Sequence, residues 1–191
     1  MLPLLEPGVV IDWEPPAVHD MRRWSEEELD DAARQCLEAL AGRRRARRSL
    51  FPQLERVVRA AGTRVVSDLL AALRTARDPE ALNVLESLAG DLEGGFLTLL
   101  GRELLDPAQP ERYRCRLARA VANLEAPREQ KLPLLMSGMS DPLPAVRGAC
   151  AEAAGYAGLT EASARLKELA ASDPDAYVRE AAAQALEDLD S

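Results

Sequence analysis

The chain has 191 residues, 47% of them apolar and 29% charged, enough to bury one or two compact cores or a short repeat array. No apolar run approaches the ~20 residues that span a bilayer, and the start MLPLLEPGVV lacks the basic and apolar regions of a secretory leader, so a cytoplasmic protein with no membrane segment is expected. The formal charge of −8 conceals a segregation: residues 1–40 carry 10 acidic and 3 basic groups, residues 41–77 carry 2 and 10, and residues 78–191 carry 20 and 11.

Residues 1–24 read as an extended arm, because Pro3, Pro7, Gly8, Pro15 and Pro16 interrupt any helix and Val9-Val10-Ile11-Asp12-Trp13 favours an extended backbone. The arm is apolar. Ile11 and Trp13 are expected either to cap the first helices or to dock on another protein, since exposed aliphatic and aromatic clusters mark interfaces. From residue 25 to 191 the pattern is helical throughout. Ser25 and Glu28 form a capping box ahead of Leu29, Ala32, Ala33, Cys36, Leu37 and Leu40, and Gly42 closes that helix.

The first turn then holds Arg43, Arg44, Arg45, Arg47 and Arg48, after which Leu54, Val57, Val58 and Ala61 mark a second helix. A second pair carries Val65, Val66, Leu69, Leu70 and Leu73, turns at Asp78-Pro79, and continues through Ala81, Val84, Leu85, Leu88 and Leu92. Gly94-Gly95 opens a third, with Phe96, Leu97, Leu100 and Leu104 before Asp106-Pro107 and Tyr113-Arg114 after it. The fourth begins near Arg128 and the fifth near Thr160. Asp-Pro therefore recurs at 78, 106, 141 and 173.

The last two pairs repeat in register. A shift of 32 residues carries Asp141, Pro142, Val146, Arg147, Ala149 and Ala153 onto Asp173, Pro174, Val178, Arg179, Ala181 and Ala185. Each aspartate is expected to cap a helix whose N1 position the proline fills, so that a helix starts at every Asp-Pro. The stripe that follows is mostly alanine, which allows close helix approach but buries too little area for one pair to stand alone. The fold class expected is therefore all-α, a right-handed α-solenoid of about five stacked helix pairs.

Over residues 128 to 189 the motif Asp-Pro…Val-Arg…Ala-Ala resembles the HEAT-repeat family, in particular the short bacterial HEAT-like repeats also found in phycobilin lyases. The resemblance implies a structural ladder between successive repeats for Asp141, Arg147, Asp173 and Arg179. Arg114, which recurs at the same place in the third pair, belongs with them.

Catalytic chemistry has no foothold in the motifs. There is one histidine, His19, without a second ligand at metal spacing, and no nucleophile elbow, phosphate loop or zinc-protease signature. Cys36, Cys115 and Cys150 are odd in number and sit at apolar helical positions, so buried thiols are expected. No enzyme, cofactor or metal is anticipated; the reading is a binding scaffold or adaptor for another protein. The alternatives are a nucleic-acid binder using Arg43 to Arg48, which the acidic flanks disfavour, and a lyase-like or chaperone-like subunit suggested by the resemblance alone. Five arginines in six positions cannot all find partners in one turn. The acidic cluster Glu26 to Asp31 lies about 20 Å away along the intervening helix, beyond the Debye length, leaving the arginines for an acidic partner surface. Replacing all five with serine is expected to weaken association in a salt-dependent way without changing the helical circular dichroism. Duplex DNA binding that disappears in the same variant would favour nucleic acid instead.

Overall fold

The computed structural model describes residues 21, 23–42, 51–90 and 95–190. The arm residues Ile11 and Trp13, His19, and the arginines from Arg43 to Arg48 lie outside the described residues. Among those described, the secondary structure is entirely helical, and the chain divides into two compact units, Met1–Leu85 and Glu86–Ser191.

The first unit contains α1 (Glu26–Leu40), α2 (Phe51–Ala61), a 3-10 turn (Gly62–Val65) and α3 (Val66–Thr75). The Ser25 hydroxyl accepts from the Glu28 amide at 3.2 Å while the Glu28 carboxylate accepts from the Ser25 amide at 2.8 Å, so two free donors of the first turn of α1 are satisfied reciprocally. Those bonds hold the Glu28 carboxyl below its usual range. Helix α1 packs on both α2 and α3, burying Ala33, Cys36, Leu37 and Leu40 against Leu54, Val57, Leu69 and Leu73. Gly42 stops α1 with φ of 80°, and Gly62 ends α2 with φ of 60°. A side chain at either position would be strained in the left-handed region.

Helix α4 (Pro79–Gly90) crosses the division between the units. At its start the sequence expectation is met in full: Asp78 accepts from the amides of Glu80 and Ala81 at 2.9 and 3.2 Å, with Pro79 as the first helical residue.

The second unit continues with α5 (Gly95–Leu105), α6 (Glu111–Asn123), α7 (Arg128–Gly138), α8 (Pro144–Tyr156), α9 (Ser163–Ser172) and α10 (Ala176–Leu189). Helices α6, α8 and α10 pack side by side in one layer. Helix α5 packs on α7, α7 meets the 3-10 turn Thr160–Ala162 that leads into α9, and α5, α7 and α9 back onto α6, α8 and α10. This is a stack of helix pairs. Its core runs through Leu100, Leu104, Leu117, Val121, Leu135, Val146, Leu166 and Val178.

Three of the four Asp-Pro steps correct the expected helix starts. Helix α8 begins at Pro144 and α10 at Ala176, with Leu143 and Asp175 at the cap positions, and α6 begins at Glu111 after Pro110. In each case the aspartate instead accepts from the amide two residues on, Leu143 at 3.0 Å, Asp175 at 3.0 Å and Ala108 at 2.9 Å. An aspartate before proline can cap a helix or close an Asx turn with the same oxygen, and here the turn is made first.

The small residues set the spacing of the layers. A Cβ on Gly155 would lie 2.7 Å from the Cα and 2.8 Å from the Cβ of Ala185, so α8 and α10 approach backbone to backbone at that crossing. A Cβ on Gly101 would meet only the flexible end of Leu134, at 2.6 Å from Cδ2. Gly155→Ala is therefore expected to destabilise the second unit despite alanine's helix propensity advantage of ~1 kcal/mol, because overpacking costs about 1–3 kcal/mol. Gly101→Ala should be close to neutral, since Leu134 can swing aside. Urea unfolding of both variants checks this, and a Gly155→Ala protein as stable as the wild type would contradict it.

Candidate functional site

The second unit presents two sets of polar side chains, one between its repeats and one along the α6, α8 and α10 layer. Between repeats, the Arg147 guanidinium reaches forward to both carboxylate oxygens of Asp173, with Nε at 2.9 Å and Nη2 at 2.8 Å, in a fork-to-fork pair. Its Nη1 donates backward to the carbonyls of Asp141 and Pro142, at 2.9 and 3.1 Å. One repeat later Arg179 Nη1 donates to the carbonyls of Asp173 and Pro174, at 2.7 and 3.1 Å. One repeat earlier Arg114, whose side chain is 1% exposed, donates to both oxygens of Asp141 and through Nε to the Leu104 carbonyl at 2.6 Å. Of the five ladder residues named from the sequence, Arg114 with Asp141 and Arg147 with Asp173 link one repeat to the next, while Arg179 donates within its own repeat.

The electrostatics follow from that geometry. Hydrogen bonding from Arg147, helped by the Asp175 amide and opposed by burial, holds the Asp173 carboxyl below its ordinary range, and the same bonds raise Arg147. A depressed folded-state pKa contributes stability that is present above the unfolded value near ~4 and is lost as pH falls through the folded value.

The second set lines a groove of about 380 Å³ formed by Glu86 of α4, Arg119 and Asn123 of α6, Glu152, Ala153 and Tyr156 of α8, and Asp188 of α10. Tyr156 stands 74% exposed. Glu152 is fixed from two directions, accepting the Tyr177 hydroxyl at 2.9 Å and facing Arg119 at 3.8 Å, while the Tyr177 ring covers Gly148, where a Cβ would strike it. Burial, then the Glu152 carboxylate, pushes the Tyr177 phenol upward, so it remains a donor at neutral pH. Glu86 is only 6% exposed. Burial raises its carboxyl while the nearby Arg119 and Arg116 charges oppose the rise.

Sequence reasoning missed this groove, although a signal for it was present. Its residues on the stacked helices stand five and nine positions after the ladder arginines: Arg119 and Asn123 after Arg114, Glu152 and Tyr156 after Arg147, Asp188 after Arg179. Polar residues four apart share a helix face, and this column runs beside the alanine stripe, whose Ala153 also lines the groove.

The thiols offer little chemistry. Cys36 and Cys150 are buried, and desolvation pushes each up to about 12; Cys115 is partly exposed and raised for the same reason. No helix among the described residues is long and apolar enough to cross a membrane.

Residues 100–187 match the family model of HEAT repeats. Over that segment the chain is similar to HEAT repeats, and the segment takes in Arg114 and most of the third pair as well as the two pairs whose register is plain in the sequence. No curated protein matches the chain.

Arg147→Ala is expected to lower stability by about 1–3 kcal/mol, because Asp173 is left nearly buried without its counter-ion. Thermal unfolding should show the loss fully from pH 7 down to about 5 and show the two proteins converging below about 4, as Asp173 takes up a proton. A pH-independent difference would mean that packing of the arginine stem carries the effect.

Proposed function

We propose that the protein is a non-enzymatic scaffold that binds another protein through the groove along α6, α8 and α10. HEAT repeats commonly serve as protein-interaction scaffolds, because stacked helix pairs present a continuous surface in which no single repeat has to close around a ligand. The observation that carries the reading is the groove itself, where three stacked helices and α4 bring an exposed tyrosine beside the fixed Glu152 carboxylate. Tyrosine is the residue type that most often anchors protein contacts with low ordering cost.

In this reading Asp141, Arg147, Asp173, Arg179 and Arg114 hold the stack and take no part in binding. Arg43 to Arg48 supply a separate contact for an acidic partner surface, and Ile11 and Trp13 of the apolar arm are further candidate contacts. A nucleic-acid role would rest on those arginines alone, and the acidic lining of the groove repels phosphate.

Tyr156→Ala tests the proposal without touching the core, since the side chain is exposed. Proteins retained by the immobilised wild type from native lysate, in the presence of nuclease, are expected to be lost or strongly reduced on the variant, with unchanged circular dichroism. Equal retention by both proteins would remove the groove from the binding surface.

A further inference from the structure

We infer that the groove receives an arginine side chain of the partner, held between the Glu86 carboxyl and the Tyr156 ring; this rests on the groove being the protein-binding surface. Glu86 is the group that asks for a ligand. It is more than nine-tenths buried, yet it makes no hydrogen bond or ion pair with any described residue, and its oxygens are not sealed from solvent but open into the groove. A buried carboxyl without donors is costly, and native structures satisfy such groups with protein, water or a ligand.

The other lining groups select the sign of that ligand. Acidic side chains in the wall number three, Glu86, Glu152 and Asp188, against Arg119, which faces Glu152, and the Arg116 charge close to Glu86, so the balance is still acidic. Glu152 is also held by Tyr177, and Asp188 accepts from Gln184 at 3.1 Å, whereas Glu86 accepts no hydrogen bond from a described residue. At the rim, Tyr156 offers an exposed ring face for a planar cation. A guanidinium matches both, because its fork donates to a carboxylate while its plane stacks on an aromatic ring. The volume, about 380 Å³, lies at the low end of the ~300–1,000 Å³ of ligand pockets, which suits one or two side chains of an extended segment.

The test uses the full chain and a short peptide blocked at both ends that carries two arginines, with its two-citrulline counterpart as the uncharged isostere. Binding is followed by chemical-shift changes of the tyrosine ring signals at physiological salt. The arginine peptide is expected to shift the Tyr156 signals and to bind about tenfold more weakly to both Glu86→Gln and Tyr156→Ala, while the citrulline peptide leaves the signals unmoved. Glu86→Gln keeps the shape of the side chain, and its melting temperature reports whether it folds. Failure of the arginine peptide to bind, or equal binding of the citrulline peptide, overturns the assignment, as does undiminished affinity in a folded Glu86→Gln protein. If Tyr156→Ala nonetheless loses its natural partner in the retention experiment, the groove remains the protein-binding surface and only its cationic occupant falls. If retention is also unaffected, both readings fail together.

Discussion

The pairing of a nearly buried arginine with an aspartate of the following repeat is the interaction on which the second unit depends. Arg114 and Arg147 reach from one helix pair to the next, where their side chains are 1% and 11% exposed and so must find partners in the protein. The carbonyls just before helix α8 accept from Arg147, and Asp173 one repeat on takes the remaining fork. Each arginine thereby links two connections that local hydrogen bonding alone would leave independent. The aspartates are fixed in turn, since each also closes its own Asx turn.

That fixed corner lets the alanine stripe work. Alanine and glycine bury little area each, so the stack gains from them only if the helices come close enough for backbone atoms to touch, as α8 and α10 do at Gly155 and Ala185. Larger residues enter where a gap has to be filled: Leu134 lies over Gly101, Cys150 over Gly138 and the Tyr177 ring over Gly148. Arg165 adds a further link by donating to the Met139 carbonyl at 3.0 Å, and Lys131 donates to the Ala122 carbonyl at 3.0 Å near the end of α6.

The groove is a by-product of the same register. Because the inward stripe and the ladder arginine keep a constant offset in each repeat, the residues five and nine places beyond the arginine fall into line across three helices. Glu152 among them also ties α8 to α10 by accepting the Tyr177 hydroxyl, while Arg119, Tyr156 and Asp188 complete the wall around Glu86. A repeat array separates the two tasks in this way because its core positions are set by helix period and its face positions are not.

The sequence by itself determined the helix pairs, the all-α fold and the identity of the corner residues. Those signals are local or strictly periodic: the Ser25–Glu28 capping box, Gly42 and Gly62 as stops, the apolar offsets, and the 32-residue register of Asp141 and Asp173. Tertiary structure decided the rest. An aspartate before proline can cap a helix or close an Asx turn, and at Asp141 and Asp173 the carboxylate that closes the turn also takes a guanidinium from 27 and 26 residues earlier in the chain. The burial of Glu86 is likewise invisible along the chain, since the groups that surround it, Arg116, Arg119 and Tyr156, lie 30 to 70 residues away. Local chemistry offers the same side chain several partners, and only packing between distant helices selects one.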